Sequence, residues 1–379
     1  MKTKTSNIVT SVVFCLVIAA LTVASMVNPV RQYSATENRN LAQMPTFSFD
    51  ALFAEKDEDK FTLKYEEFIT DQFVARDAWI TLKTYAERVL GKKESNGVFF
   101  GSDGYLIEKH EVPTDQLEKN IEFLKSFLEA SKDYNTHVLI APTASLILSD
   151  KLPLYAPVWD QSALLDRVEA LGNFVDCRDV LTEHKDEQIY YHADHHWTTL
   201  GAYYSYTELC TSLGIESYPL TEFNKRVLAS DFQGTLANKV NMDTTPDEIF
   251  SLEPDGVSLK VSYNGGQKVT DTLYEESYLS GRDKYSTFLD GNQPLVDIET
   301  SVKNGKTLLL VKDSYAHCMV PMLTAHYERI ILMDMRHLNI GVMSYIAQLE
   351  AEGTVVDDVV ILYNAENFTE DRNMVKFGM

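Results

Sequence analysis

Cysteine is scarce in this 379-residue chain, four in all, and none stands in a CxxC spacing. Cys15 falls inside an apolar run, leaving Cys177, Cys210 and Cys318, an odd number that excludes a disulfide framework. Buried free thiols are expected, with a Cys177 to Cys210 bridge left open. Positive charge is also short: 34 Lys and Arg face 56 Asp and Glu, a net charge of −22. A surface that acidic repels phosphate backbones, so nucleic acid is not an expected partner. No internal repeat is visible, and no second apolar run is long enough to cross a bilayer, so one pass at most is expected.

That one run is at the start. Ile8 to Val27 carries no charged side chain and follows Lys2 and Lys4, and as a helix it would be about 30 Å long, the thickness of a bilayer's hydrocarbon. The lysine flank predicts a cytoplasmic N-terminus and an extracytoplasmic remainder. Residues 1–28 are read as an uncleaved anchor, the alternatives being a cleaved signal ending near Val23 to Ser25 or a core helix. Residues 29–60 are polar with prolines at both ends and read as an extended stalk.

The chain is 45% hydrophobic, enough to bury a proper core, and residues 61–379 read as one α/β domain. Phe61, Tyr65, Phe68 and Ile69, then Trp79, Leu82, Tyr85 and Val89, recur at helical spacing and predict two helices broken at "DQFVARD". "NGVFFGSDGYLIEK" predicts a hairpin, and Thr114 to Ala130 a helix capped by Thr114. "HVLIAP" predicts a buried strand, Ser162 to Gly172 a helix, and "NFVDCRDVL" a further strand, an order that points to a parallel sheet covered by helices. From about residue 214 to 300, Gly, Asn, Asp and Thr are frequent and apolar runs short, which predicts a β-rich insertion. "GKTLLLVKDSYAHCMVPML", "ERIILMDMRHLN" and "DDVVILYNAENF" then bring three strands whose polar ends carry Asp313 and Ser314, Asp334 and Arg336, and Asn364. Ligand sites in open α/β sheets lie at that edge.

Two segments carry chemistry. In "LLLVKDSYAH", Ser314 stands where a buried strand turns into a helix, so its hydroxyl is exposed and free backbone N–H groups can face an oxyanion. The place resembles a nucleophile elbow without the G-x-S-x-G glycines; alternatively Asp313 or Ser314 caps the helix. In "ADHHWTTLGAYYSY", Asp194 lies two positions before His196, close enough to hold the ring while it deprotonates a serine. Thr198 or Thr199 would start the next helix, with Asp194 as its cap in the structural alternative. "YYHADHH" also aligns His192, Asp194 and His195 on the HxHxDH pattern of binuclear metallohydrolases, with Tyr190 at the missing first histidine.

"DQFVARD", "NGVFFGSDGYL", "DHHWTTLGAY", "DKYSTFLDGN", "LLLVKDSYAHCMVPML" and "MDMRHLN", in that order after the anchor, resemble the DHHW protein family. That family is similar to the alginate O-acetyltransferase-like branch of the SGNH/GDSL hydrolases. The resemblance implies an SGNH-like α/β fold in permuted order, Asp/His block before serine, with Ser314 as nucleophile, His196 as base and Asp194 as its orienting carboxylate. It places Asn364 where the class has its oxyanion-hole asparagine, with Asn292 as a competing amide and Arg336 as a substrate contact or a partner of Asp334. Lys312 stands where that class has the glycine of G-D-S. The implied activity is a membrane-anchored, extracytoplasmic O-acetyltransferase or acetylesterase acting on a cell-surface polysaccharide. It calls for no cofactor and no metal, and for a multi-pass membrane O-acyltransferase as possible acyl donor. The other readings are an inactive glycan-binding or scaffold protein of the cell envelope, and a metal-dependent hydrolase using His192, Asp194 and His195.

Overall fold

A computed structural model describes residues 2–34, 39–56 and 59–378; residues 35–38 and 57–58 of the expected stalk lie outside these. The chain divides into a unit of residues 1–92 with 240–242 and a unit of residues 93–239 with 243–379.

The first unit is helical. α1 (Lys2–Val27) contains the apolar stretch Thr5–Val27, with a mean hydropathy of 2.5, long and apolar enough to cross a membrane. α2 (Phe61–Asp71) and α3 (Arg76–Val89) are the two helices expected on either side of "DQFVARD". The break is a left-handed residue, Ala75 at φ 53°, which no helix interior accommodates. The Gln72 side chain donates to the carbonyls of Arg31 and Ala42 and accepts from the amide of Arg31, while Asp71 accepts from the amide of Ala42.

The second unit is built on a seven-stranded sheet. Ahead of it stands the expected hairpin, β1 (Val98–Phe100) and β2 (Leu106–Glu108). α4 (Asp115–Ala130) follows, with the Thr114 hydroxyl accepting from the amide of Gln116, and leads into β3 (Asn135–Ala141). α5 (Gln161–Glu169), α6 (Arg178–Glu183) and α7 (Thr199–Leu213) come next. The strand expected from "NFVDCRDVL" is absent: Phe174 makes one isolated bridge to Val138, and Asp176 then takes the amide and guanidinium of Arg178, turning the chain into α6. α7 starts from Thr198, whose hydroxyl accepts from the Gly201 amide, and stops at Gly214, φ 70°.

The β-rich segment supplies β4 (Phe223–Phe232) and β5 (Asp247–Pro254), which pair as a separate hairpin, then β6 (Leu259–Tyr263), β7 (Lys268–Thr270) and β8 (Leu295–Thr300). β9 (Thr307–Lys312), β10 (Arg329–Met333), α8 (Val342–Ala351), β11 (Asp358–Asn364) and α9 (Ala365–Glu370) complete the unit. The sheet order is β7-β6-β8-β10-β9-β11-β3. Only β10, β9, β11 and β3 are mutually parallel; β8, β6 and β7 extend the sheet antiparallel. The fold is thus mixed α/β, and the expected insertion partly completes the sheet it was expected to interrupt. Pattern explains the difference: "TLLLVK" is buried on both faces, as parallel strands require, whereas "LKVSY" alternates. Leu308 and Leu310 face a core with Trp197, Tyr206 and Leu209; Leu309 and Val311 face another with Leu124, Phe127 and Leu165. The sheet therefore has apolar cover on both sides, and the loops after β9, β10 and β11 emerge together at one edge.

Candidate functional site

β9 delivers Asp313 and Ser314 to that edge. Asp313, fully buried, accepts from the amide of Tyr315 on one oxygen and from the amide and side chain of Asn364 and the side chain of Asn367 on the other, all at 2.8–2.9 Å. Asp313 is therefore the cap of the short 3₁₀ turn Ser314–Ala316. Ser314 is left with its hydroxyl 2.8 Å from Nε2 of His196.

His196 sits in a loop closed at its base by Tyr190 bridging to Trp197 and by the Thr198 amide donating to Ile189 O at 2.9 Å. Its Nδ1 lies 2.5 Å from Oδ1 of Asp194. Asp194 does not cap α7. Its Oδ1 also accepts from the His196 amide at 3.0 Å, and Oδ2 accepts from the Thr235 amide at 2.8 Å. A glycine is required beside it: a Cβ at Gly234 would fall within 2.6 Å of three atoms of the Asp194 side chain. Asp194, His196 and Ser314, separated by 118 positions between base and serine, thus form one continuous buried relay.

Three aromatic residues lock the two segments together. Trp197 Nε1 donates to Tyr315 O at 2.8 Å, and the Tyr315 hydroxyl donates to His195 O. The Tyr285 ring stacks on His196 at 3.9 Å and 15°, while its hydroxyl donates to Ser314 O at 3.1 Å. Sequence reasoning gave none of these tyrosines a role. Their signal was position alone, Tyr315 directly after the serine and Tyr285 in "DKYSTFLDGN".

The other candidates enter separate networks. The Asn364 carbonyl caps α9 by accepting from the amides of Glu366 and Asn367, and its NH₂ is turned to Asp313. Arg336 binds Asp334 through Nε and Nη2 at 2.9 and 2.6 Å, and Nη2 lies 3.4 Å from the Asn292 carbonyl oxygen. Lys312 is buried against His317 Nε2 at 2.7 Å and 3.7 Å from Asp334; burial pushes its ammonium down to about 8 against the pull of Asp334. His192 turns to Asp247, with Nδ1 to Oδ1 at 2.7 Å, and packs on Tyr105. Asp194, His195 and His196 do offer ligand atoms within 4.8 Å of one another. Yet Asp194's oxygens are met by two backbone amides, a setting for accepting hydrogen bonds. Cys177, Cys210 and Cys318 are buried free thiols.

The electrostatics fit a proton relay. Burial would raise the Asp194 carboxyl, but the neighbouring His195 and His196 and the Thr235 amide more than offset it and hold it below the ordinary range. Burial, then His195, lowers His196 against the pull of Asp194. At neutral pH the pair is therefore carboxylate and neutral imidazole, the state in which Nε2 can accept the serine proton. A reaction using this base is expected to gain activity with rising pH and to reach its plateau with an acid-limb midpoint below the ordinary histidine value of about 6.5, as a pH profile of kcat/KM would measure. Stability should move with the same sign. His326, lowered by burial to about 4, stays neutral when folded over a range in which it charges when unfolded, and His196, also lowered, acts in the same sense. Their contribution is complete above about 6.5 and is lost as pH falls, so Tm should drop between about pH 6.5 and pH 4.

Residues 169–333 match the DHHW protein family. This stretch holds Asp194, His196, Tyr285, Asn292 and Ser314, whereas Arg336 and Asn364 lie beyond it. No curated protein matches the chain. Among solved structures, a DHHW family protein from Eubacterium siraeum is 23% identical, with a TM-score of 0.63 over 75% of this chain and 95% of its own. Bacillus cereus PatB1 is 17% identical, with a TM-score of 0.60 over 74% of this chain and 99% of its own. The O-acetyltransferase domain of Pseudomonas putida AlgJ is a weaker likeness, 13% identical with a TM-score of 0.45 over 73% of this chain and 93% of its own. The first two likenesses bear on the fold.

Proposed function

We propose that the chain is a serine acyl-transfer enzyme of SGNH-like, permuted arrangement, held at the outer face of a membrane by α1 and acting on a cell-surface polysaccharide. The observation that carries the reading is the Asp194–His196–Ser314 relay, at 2.5 and 2.8 Å, placed at the carboxyl edge of the parallel strands. His196 Nε2 takes the Ser314 proton as Oγ attacks an acyl carbonyl, and the Ser314 amide faces the oxyanion. When the intermediate collapses, the leaving group receives that proton and the acyl group remains on Ser314. An acceptor hydroxyl, of sugar or water, then gives its proton to His196 and takes the acyl group, and Ser314 Oγ leaves with the proton back. Asp194 keeps the ring oriented and its Nδ1 protonated throughout. The polysaccharide acceptor and a multi-pass membrane O-acyltransferase as donor rest on the family resemblance.

Acceptor competition tests the reading. With p-nitrophenyl acetate as donor, neutral and uronic-acid oligosaccharides are added and the products weighed by mass spectrometry. Acetylated oligosaccharide that disappears with His196→Ala is the expected result and marks a transferase. Acetate alone, formed by the parent and not the variant, makes it an esterase, and no turnover by folded protein contradicts the proposal.

A further inference from the structure

α3 is amphipathic, but its apolar side faces outward. At about 100° per residue, Asp77, Thr81 and Thr84 share one side, and there Asp77 O accepts from the Asn241 side chain while the Thr84 hydroxyl donates to Val240 O at 2.9 Å. Trp79, Leu82, Val89 and Leu90 lie on the opposite side and are 46%, 58%, 87% and 81% exposed. On α2, Tyr65 and Ile69 are likewise open, and ring contacts run from Phe49 through Phe47 and Phe61 to Tyr65. Exposed large apolar side chains gathered on one helix side mark an interaction site.

The attachment of these helices says what covers it. The Val74 amide, in the α2–α3 junction, donates to Ser25 Oγ at 3.2 Å, within the last turn of the membrane-length stretch Thr5–Val27. Just past that stretch, Gln72 clamps Arg31 and Asp77 pairs with the Arg31 guanidinium at 3.0 Å. The junction is thereby fixed at the end of α1, and Trp79 lies one turn into α3 from it. Exposed Trp and Tyr flanked by aliphatic residues suit the headgroup layer of a bilayer, where the ring is apolar and its polar edge stays wet.

We infer that the outward faces of α2 and α3 dock on the lipid bilayer at its headgroup boundary, as an in-plane foot beside the anchor. This rests on the reading of α1 as an inserted helix.

The test uses the full chain in phosphatidylcholine vesicles, with and without brominated phosphatidylcholine, and two reporters. Cys15 is exposed whereas Cys177, Cys210 and Cys318 are buried, so a thiol fluorophore can be placed on α1 alone. Trp79 is one of three tryptophans, and its emission is the difference between the parent and Trp79→Phe. Bromine is expected to quench both the Cys15 label and the Trp79 emission, the latter at least about twofold, as for an interfacial indole. Quenching at Cys15 with Trp79 unaffected would overturn the inference while leaving the anchor standing, and would point to protein as the cover. Quenching at neither would overturn both. Quenching at Trp79 alone would refute insertion of α1 and with it the foot beside the anchor.

Discussion

Replacing Ser314 by alanine is expected to lower ester cleavage by at least about 10³-fold, because removal of a nucleophile leaves only binding and oxyanion contacts. The fold should survive. Ser314 Oγ has its hydrogen bond with His196, whereas the turn itself is held by Asp313, by the Tyr285 hydroxyl on Ser314 O and by Trp197 on Tyr315 O. Loss of one exchangeable bond at a hydroxyl costs about 1 kcal/mol. The readout is the initial rate with p-nitrophenyl acetate beside a thermal melt. A parent rate no higher than that of the variant would remove the serine from the chemistry.

Asp194→Asn is expected to cost about 10⁴-fold in kcat, since the amide either steers the imidazole into the wrong tautomer or sets its NH₂ against the Thr235 amide. Both oxygens matter here: Oδ1 receives the His196 ring and amide, and Oδ2 receives the Thr235 amide at 2.8 Å. An asparagine can satisfy one side, and its NH₂ must then face an N–H on the other. Gly234→Ala reaches the same relay by crowding, because its Cβ would push the carboxylate off its line to His196. A displacement of about 1 Å costs roughly 10²-fold, so the alanine variant should fall between the parent and Asp194→Asn. Equal kcat in all three would mean that Asp194 does not orient the base.

The parts of this molecule that could be read from sequence are those set by neighbours along the chain. Thr114 and Thr198 cap the helices they precede, and "HVLIAP" and "LLLVK" are buried strands because nothing polar interrupts them. Asp194 and His196 could be paired because two positions place a carboxylate beside a ring, and Ser314 because a serine after a buried strand emerges at the sheet edge. What depended on distant partners stayed hidden. "NFVDCRDVL" has the composition of a strand, but the Asp176–Arg178 pair turns it into α6. The antiparallel half of the sheet follows from which strand pairs with which, and no local pattern reports that. That the Asn364 side chain bonds Asp313 through its NH₂ and caps α9 through its oxygen depends on partners distant in sequence or beyond the strand, and the motif does not report it. Tyr285 and Tyr315 hold the relay from separate parts of the chain and carry no spacing signal. Trp79, Leu82 and Val89 recur at helical spacing, but that period does not say that their face points outward.

A Ser314 acyl-enzyme is tested most directly by the mass of the protein during turnover. The full chain is mixed with p-nitrophenyl acetate, quenched in acid at short times, digested and mapped by peptide mass spectrometry. An acetyl-sized increase is expected on the peptide holding Ser314, absent from Ser314→Ala and decaying when acceptor is added. Turnover by the parent with no acetyl on Ser314, or with the label on another residue, would contradict it.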